Sequence, residues 1–570
     1  VGILGAGAGG LYTAMMLESL NISYEILEAS ERTGGRLFTH KFTGPGSEKY
    51  DYYDAGAMRY PLPVKDQSGV YENGVMKRLG MLIDSPELNP SANNSLKDKL
   101  IPYYYAAKTG PGLQSGYMFY NDIRDRISNV TSMTQTFKAS EMGVDSEYSK
   151  IGAGPIVDDV LKPFANGIVN DMLHNETTGW EQMMAYDQYS TRGYMSLVYT
   201  PTDFATLPQT PLPPPIVNWL ELFDKSSGWY DRGFTETVLE ALAFSKAGTE
   251  QLPPVEWKCF DGGSQTLSNT MEAYLKSRGK SVQFNTRITG IHKTDGGMLV
   301  ETANPSSPSK KYDHVISTLP IPVLRTLDLK DAGLTVKQST ALRQLQYGPS
   351  IKIGMRFSMN WWNESPVNIF GGQSFTDRPV RTVVYPSYGD GAGPRSKVLI
   401  ASYCWTNDAE RMGSLFGSPD FEEQLQTLVL RDLADVHGLN FTELQNMLVE
   451  THVWDWNHDP YTMGAFAFFG PGDFAELYPV LNAPNDAGSL HFAGEALSTR
   501  HAWVVGALDS AWRAVQEYLI CSNQWTEKKD EFHRKWGKNV EWTIPAPSSN
   551  GTGKLPQDDE DNLFMRHLDI

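Results

Sequence analysis

Apolar and polar positions change their period several times along the chain, and each change marks an element. VGIL is a short apolar run, and the glycine string GAGAGG breaks it. LYTAMMLESL then carries apolar residues at helical spacing, and YEILE is a second apolar run. Strand, glycine turn, helix and strand in that order predict a βαβ opening. From about 85 to 250 the pattern predicts mostly helix with polar loops. PLPPP at 211–215 interrupts it and cannot lie within a helix. Strand-like alternation returns in SVQFNTRITGIHKTDGGMLVET, 281–302, around a Gly-Gly turn, and DHVISTLP predicts a buried strand. Residues 350–405 hold the β runs SIKIGMRFS, RTVVYP and KVLIASYCW. Residues 420–447 read as one amphipathic helix, LHFAGEA as strand and turn, and VVGALDSAWRAVQEYL as a helix. The tail from about 544 is rich in Pro, Ser, Gly and acid and reads as a solvated extension. No internal repeat occurs. Dinucleotide-binding patterns stand at both ends and in the middle, so the domains interleave.

A length of 570 residues implies two or three domains. The formal net charge of −18 argues against a nucleic-acid partner, which wants a basic face. No run reaches the ~20 apolar residues of a membrane span. The three cysteines, Cys259, Cys404 and Cys521, show no metal-site spacing, so no metal is expected. Seven N-x-S/T sequons begin at Asn21, Asn93, Asn129, Asn175, Asn363, Asn440 and Asn550. They are compatible with secretion without establishing it, and the localisation stays open.

Gly5, Gly7 and Gly10 fit G-x-G-x-x-G. The first permits the tight turn, the second a close approach to pyrophosphate, and the third the packing of helix on strand. With 51 glycines in the chain, roughly 0.4 such matches arise by chance, so context decides. The motif follows a strand and opens a helix. Glu28 ends the next strand, at the distance where a carboxylate binds ribose hydroxyls. Just beyond it, EASERTGGRL places Gly34, Gly35 and Arg36, a second close backbone approach with a cation for the pyrophosphate.

This pattern resembles the flavin-containing amine oxidase superfamily, which binds FAD through E-x-x-x-x-x-G-G-R. The resemblance covers nearly the whole chain. DAGAMRYP looks like the G-x-M-R segment of L-amino acid oxidases of fungal type, and YDQYSTRGYM is similar to a segment of their helical domain. IKIGMRF places Lys352 at the family lysine near the flavin, and VVYP places Tyr385 at a substrate-binding tyrosine. YTMGAF resembles a pocket segment containing Phe466. HFAGEALSTRHAWVVGALDSAWRA is similar to the closing flavin motif, with Gly494, Glu495 and Trp503 matched.

The resemblance implies an α/β fold. A Rossmann-like FAD-binding domain (1–37, 251–335 and 475–520) would interleave with a mixed-sheet substrate-binding domain (38–105 and 336–474). A helical domain (106–250) and a C-terminal extension (521–570) would complete it. It implies noncovalent FAD, since GEALSTRHAWVVGALDS has no cysteine for a thioether. Gly5, Gly7, Gly10, Glu28, Gly35, Arg36, Met58, Arg59, Ile288, Glu495, Trp503 and Val504 would hold the cofactor. Ile288 would meet the adenine, and Glu495 would hydrogen-bond the ribityl or pyrophosphate part.

The implied activity is oxidative deamination of L-amino acids to 2-oxo acids, ammonia and hydrogen peroxide, with molecular oxygen as acceptor and a homodimer or higher oligomer as the assembly. Arg59 would grip the substrate carboxylate bidentately and Tyr385 would donate a second hydrogen bond. The structural alternative pairs Arg59 with Asp54. Lys352 would hold a water at flavin N5, although its alternation with Ile351 and Ile353 alone fits an exposed position. Trp503 and Phe466 would wall the pocket, and His501 would stand at its rim, because hydride transfer from a neutral amine needs no base. VLEALAFSKAG, 238–248, offers no isolated carboxylate demanding a lysine substrate. Phe244 and Phe466 point to an apolar, permissive pocket. Alternatives left open are an L-amino acid monooxygenase, a polyamine or monoamine oxidase, a single-substrate enzyme such as an L-lysine oxidase, and a non-catalytic flavin-binding scaffold.

Overall fold

The computed structural model describes residues 1–538 apart from positions 73 and 392 and the stretches 92–94, 131–135, 175–176, 246–248 and 304–307. The tail from about 544 and the sequons at Asn93, Asn175 and Asn550 lie outside the described residues.

The first two apolar runs form strands β1 (Gly2–Leu4) and β2 (Glu25–Leu27). With β3 (Val282–Gln283), β4 (Val315–Ser317) and β5 (Leu490–Phe492) they build a five-stranded sheet in the order β3-β2-β1-β4-β5. Every pair is parallel, with Gly2 beside Glu25 on one side and Val315 on the other, and Val315 beside Leu490. Parallel strands covered on both faces read as continuous apolar runs, as VGIL and DHVIS do. Helices Ala8–Ser19 and Val504–Cys521 pack against each other and this sheet. Both are buried nearly all round, which is why their apolar residues are not confined to one stripe. Segments far apart in sequence thus complete one sheet, as the interleaved pattern predicts.

The second sheet has seven strands. Ser350–Phe357 lies between Leu448–Asp455 and Val398–Trp405, antiparallel to both. The sheet then continues through Thr382–Val384 and Gln373–Thr376 to Tyr117–Tyr120 and Ile123–Arg126. The last two strands fall inside the range expected to be helical, so this sheet reaches past residue 105. A single helical turn, Ile127–Val130, follows them, and the longer helices begin with Ala153–His174. Val255–Phe260 pairs with Tyr60–Pro63 and Leu100–Pro102 in a separate three-stranded sheet, whose Tyr60, Leu62 and Phe260 share a core with the dinucleotide layer.

Three local expectations change for physical reasons. The proline run 211–215 does not stay outside a helix: Pro214 opens the helix Pro214–Asp224, where a missing N–H costs nothing. The single helix expected over 420–447 is two, Pro419–His437 and Phe441–Met447. Gly438 caps the first in the left-handed region at φ +66°, and the Asn440 side chain accepts from the N–H groups of Thr442 and Glu443 to start the second. The segment after 521 begins as core, not extension. Helix Trp525–Trp536 buries Trp525, Phe532 and Trp536 against the dinucleotide layer. Arg78 ties it down, donating to Trp536 O at 2.7 Å and to Asp509 at 2.6 Å.

Candidate active site

A cavity enclosing about 1600 Å³, mouth included, lies at the carboxyl ends of the parallel strands. Gly5, Glu28, Thr318 and Gly494, which follow β1, β2, β4 and β5, all line it. Ligands bind at this edge of doubly wound sheets because the strand ends and helix starts converge there.

The glycines fit a close-approaching ligand. Gly5 sits at φ +97°, where a side chain is strained. A Cβ on Gly10 would stand 1.9 Å from Gly5 O, so Gly10 serves the packing of helix on strand and does not line the cavity. Beside Gly7 there is open space. Helix Ala8–Ser19 starts at Gly7 with no side-chain cap, and helix Val504–Cys521 starts at Trp503 with none. Apart from Gly506 N, which donates to Trp503 O at 3.2 Å, their first-turn N–H groups are left to serve an anion, and Ala8, Gly9, Val504 and Ala507 line the cavity. Two uncapped helix starts and the cation of Arg36 facing one cavity suit the diphosphate and the electron-rich ring edge of FAD. Ile288 lines the same cavity.

Two carboxylates at this cavity are already engaged. Glu28 Oε2 accepts from Ala6 N at 2.7 Å, and its Oε1 accepts from Ser30 N at 2.9 Å, which fixes the carboxylate at the end of β2. Glu495 also lines the cavity and holds its neighbours in place. Its Oε1 accepts from Arg36 Nη1 at 2.6 Å and Ala467 N at 3.0 Å, and its Oε2 from Ala502 N at 3.0 Å. Burial alone would push this carboxyl up, but Arg36, with His501 nearby, more than offsets that and holds it below its ordinary range. Glu495 is a support for Arg36 and for the loop leading to Val504.

A smaller chamber of about 550 Å³ adjoins the first and shares Gly56, Lys352, Tyr403, Phe466 and Trp503 with it. Arg59 and Met58, expected beside the cofactor, line this chamber rather than the dinucleotide cavity. Arg59 is 9% exposed. Its Nη1 donates to Gln373 Oε1 at 3.3 Å, and its guanidinium lies 5.2 Å from the Tyr105 ring and 4.9 Å from that of Phe244. Among the described residues no carboxylate forms an ion pair with it. Asp54 is taken up instead by Thr39 at 2.6 Å and by Ser264 N at 2.8 Å. Cation–π contact supplies about 0.5–2 kcal/mol, short of what a buried charge loses in leaving water. The chamber therefore favours an incoming anion.

Lys352 is 3% exposed, against the reading from alternation. Its strand is paired on both edges and buried along its whole length, so no side is free for solvent. Nζ donates to Asp54 O at 3.1 Å and Gly56 O at 2.6 Å and lies 4.4 Å from the Tyr403 ring. Burial lowers its pKa, opposed by Asp54 and assisted by Arg59. Phe466 and Trp503 wall the junction of the two cavities, with Trp503 edge-on to Phe244 at 5.1 Å.

Tyr385 is elsewhere. Leu433 O accepts from His437 Nδ1 at 2.7 Å, so His437 Nε2 is left to accept from the Tyr385 hydroxyl at 2.5 Å. Ser374 Oγ accepts from Tyr117 N and so donates to Tyr385 Oη at 2.7 Å. The only proton of Tyr385 is spent inside the core, and it does not line the Arg59 chamber. Two other tyrosines line the chamber, Tyr60 and Tyr403, and the register sets Tyr403 opposite Lys352. The sequence reading also passed over Tyr105, Trp405 and Glu240. The cross-strand pairing of SIKIGM with ASYCW could have found Tyr403, and nothing local marks the others. His501 has no free nitrogen to act as a base: Nδ1 meets Glu236 at 2.9 Å and Nε2 meets Ala496 O at 3.2 Å. Burial alone would lower its pKa, and Glu236 raises it instead.

His437 yields a pH prediction. Burial lowers its pKa to about 4, against an ordinary value of 6.5. Above pH 6.5 it is neutral folded or unfolded. Below that the unfolded chain takes up the proton first, so stability falls as pH drops from about 6.5 to about 4, by about 3 kcal/mol in all. Thermal melts across this range should show the decline, and His437→Phe should flatten its slope.

Residues 158–519 match the family model described as flavin containing amine oxidoreductase, and residues 3–61 match that of an NAD(P)-binding Rossmann-like domain. The chain is 51% identical to L-amino-acid oxidase 4 of Hebeloma cylindrosporum, over 99% of this chain and 88% of that protein. It is 27% identical to an L-amino-acid oxidase of Siganus canaliculatus, over 90% of this chain and 84% of the relative. Among solved structures, a redesigned putrescine oxidase superposes with a TM-score of 0.63 at 17% identity, covering 92% of this chain and 98% of the other, and so shares the fold. The dinucleotide edge, the two uncapped helix starts and these matches agree: the chain belongs to the flavin-containing amine oxidoreductases.

Proposed function

We propose that the protein is an FAD-dependent L-amino acid oxidase, releasing 2-oxo acid, ammonia and hydrogen peroxide. One observation carries this reading: Arg59 is a buried cation with no acid partner among the described residues, in a chamber opening onto the flavin cavity. A simple amine has nothing to give it. An α-amino acid brings a carboxylate, which a guanidinium can grip bidentately. The relative with 51% identity is itself an L-amino-acid oxidase.

FAD, held by Arg36 and the two helix starts, would supply a hydride acceptor for the substrate Cα–H bond and a route for the electrons to oxygen. The chain's own residues set the geometry. Gln373 orients Arg59, which fixes the carboxylate end of the substrate. Tyr403, Phe466 and Trp503 exclude water around the Cα. Lys352 uses two of its N–H groups on Asp54 O and Gly56 O, and a third can hold a water at the cavity junction for imine hydrolysis. Arg36 and the two helix starts hold FAD without a covalent bond, and the protein works as a homo-oligomer.

A panel of L- and D-amino acids under air tests the reading. Peroxide, ammonia and 2-oxo acid should appear in equal amounts from L-amino acids alone. An amide with carbon dioxide would mark a monooxygenase instead. Acid precipitation should leave the yellow flavin in the supernatant, and flavin retained in the pellet would refute noncovalent binding. Lys352→Met should keep its flavin and slow turnover with oxygen by about tenfold or more, and full turnover would remove Lys352 from the mechanism.

A further inference from the structure

The chamber that holds Arg59 carries a second charged group. Glu240, on the helix Phe234–Ala243, lines it together with Phe244, Tyr403 and Trp405. Its Oε2 accepts from Lys225 Nζ at 2.5 Å, and its Oε1 makes no hydrogen bond to a described residue. The Glu240 side chain is 18% exposed and that of Lys225 9%. Lys225 Nζ also lies 4.8 Å from the Trp229 ring, and the Lys225 backbone O accepts from Arg381 Nη2 at 2.8 Å. Burial would lower the Lys225 pKa, and Glu240 with Asp224 raises it instead, so the Lys225 ammonium keeps its charge beside the Glu240 carboxylate. The carboxylate missed in VLEALAFSKAG is therefore present at the chamber, but it is neutralised.

We propose that the Glu240–Lys225 pair sets the charge selectivity of side-chain recognition. This rests on the reading of Arg59 as the substrate's carboxylate anchor, which leaves the rest of the same chamber to the substrate side chain. Paired, the two charges cancel. A neutral side chain can then enter without stranding a charge, and a donor at its tip can reach Glu240 Oε1. Removing one partner leaves the other buried without its ion pair. The substrate side chain then becomes the available counter-charge, and selectivity follows the charge that was left.

The two single variants should thus move in opposite directions. The test is kcat/KM for peroxide release with glutamine, glutamate and lysine. In Lys225→Met the lysine-to-glutamine ratio should rise about tenfold or more over the wild type. In Glu240→Gln the glutamate-to-glutamine ratio should rise about tenfold or more. Flavin absorbance of each purified variant shows that it is folded and loaded. Ratios within about threefold of wild type in both variants, or shifts toward the same charge, would overturn the inference. Loss of flavin from both would also overturn it, by assigning the pair to holding the fold. Wild-type protein that oxidises no amino acid would instead defeat the oxidase reading, a distinguishable failure.

Discussion

Arg59→Met should lower kcat/KM for every L-amino acid, whatever its side chain, by a factor of roughly 30 to several thousand. The cause is the loss of a charge-assisted contact worth about 2–5 kcal/mol when its partner is left buried and unpaired. The loss should not depend on the side chain, because the carboxylate is common to all substrates. Flavin content should hold, since Arg59 lines the side chamber and not the dinucleotide cavity. Arg59→Lys should recover only part of the rate, as an ammonium lacks the planar fork. Steady-state peroxide release and the flavin-to-protein absorbance ratio check both halves. A loss confined to one class of side chain would make Arg59 a specificity residue rather than an anchor.

Glu495→Ala should be the most damaging change at the cofactor cavity. It removes at once the carboxylate shared by Arg36 Nη1, Ala467 N and Ala502 N, and leaves Arg36 Nη1 with Ala465 O at 3.1 Å in place of a charged acceptor. Breaking a buried pair by removing one partner costs about 3–5 kcal/mol. Arg36 and the turn at Ala502 both line the flavin cavity, so the variant should purify with much less flavin and melt at a lower temperature. Full flavin content with an unchanged melting temperature would show that Arg36 is held by something else. Glu495→Gln keeps an acceptor oxygen but loses the charge, and should fall between.

The dinucleotide layer is legible in the sequence because local chemistry specifies it. Gly5 needs a positive φ, Gly10 must lack a Cβ, and VGIL and DHVIS read as strands buried on both faces. Lys352 and Tyr385 show where local reading fails. Strand alternation makes Lys352 look exposed, but its strand is an interior one of a seven-stranded sheet and buried on both faces, and only tertiary packing reveals that. Tyr385 matches a motif by position, yet its hydroxyl is consumed by His437, which lies on a distant helix. Glu240 sits in an ordinary helical stretch, and nothing near it in sequence says that Lys225 is its partner. The residues that shape the side-chain end of the chamber come from separate segments, so their meeting is a property of packing. The short helix after 521 is similar: Trp525, Phe532 and Trp536 share one face at helical spacing, a signal masked by the charged residues between them.

The account rests on a carboxylate meeting Arg59, and one comparison tests that most directly. Phenylalanine and phenethylamine differ only in the carboxylate. Peroxide release should be measured for both, in wild type and in Arg59→Met. Wild type should oxidise phenylalanine far faster than phenethylamine, by a factor matching the roughly 30-fold to several-thousandfold value of the contact. Arg59→Met should collapse that preference by slowing phenylalanine while leaving phenethylamine no slower. Equal turnover of the two compounds by wild type, or an equal penalty on both in Arg59→Met, would contradict the account and return Arg59 to a structural role.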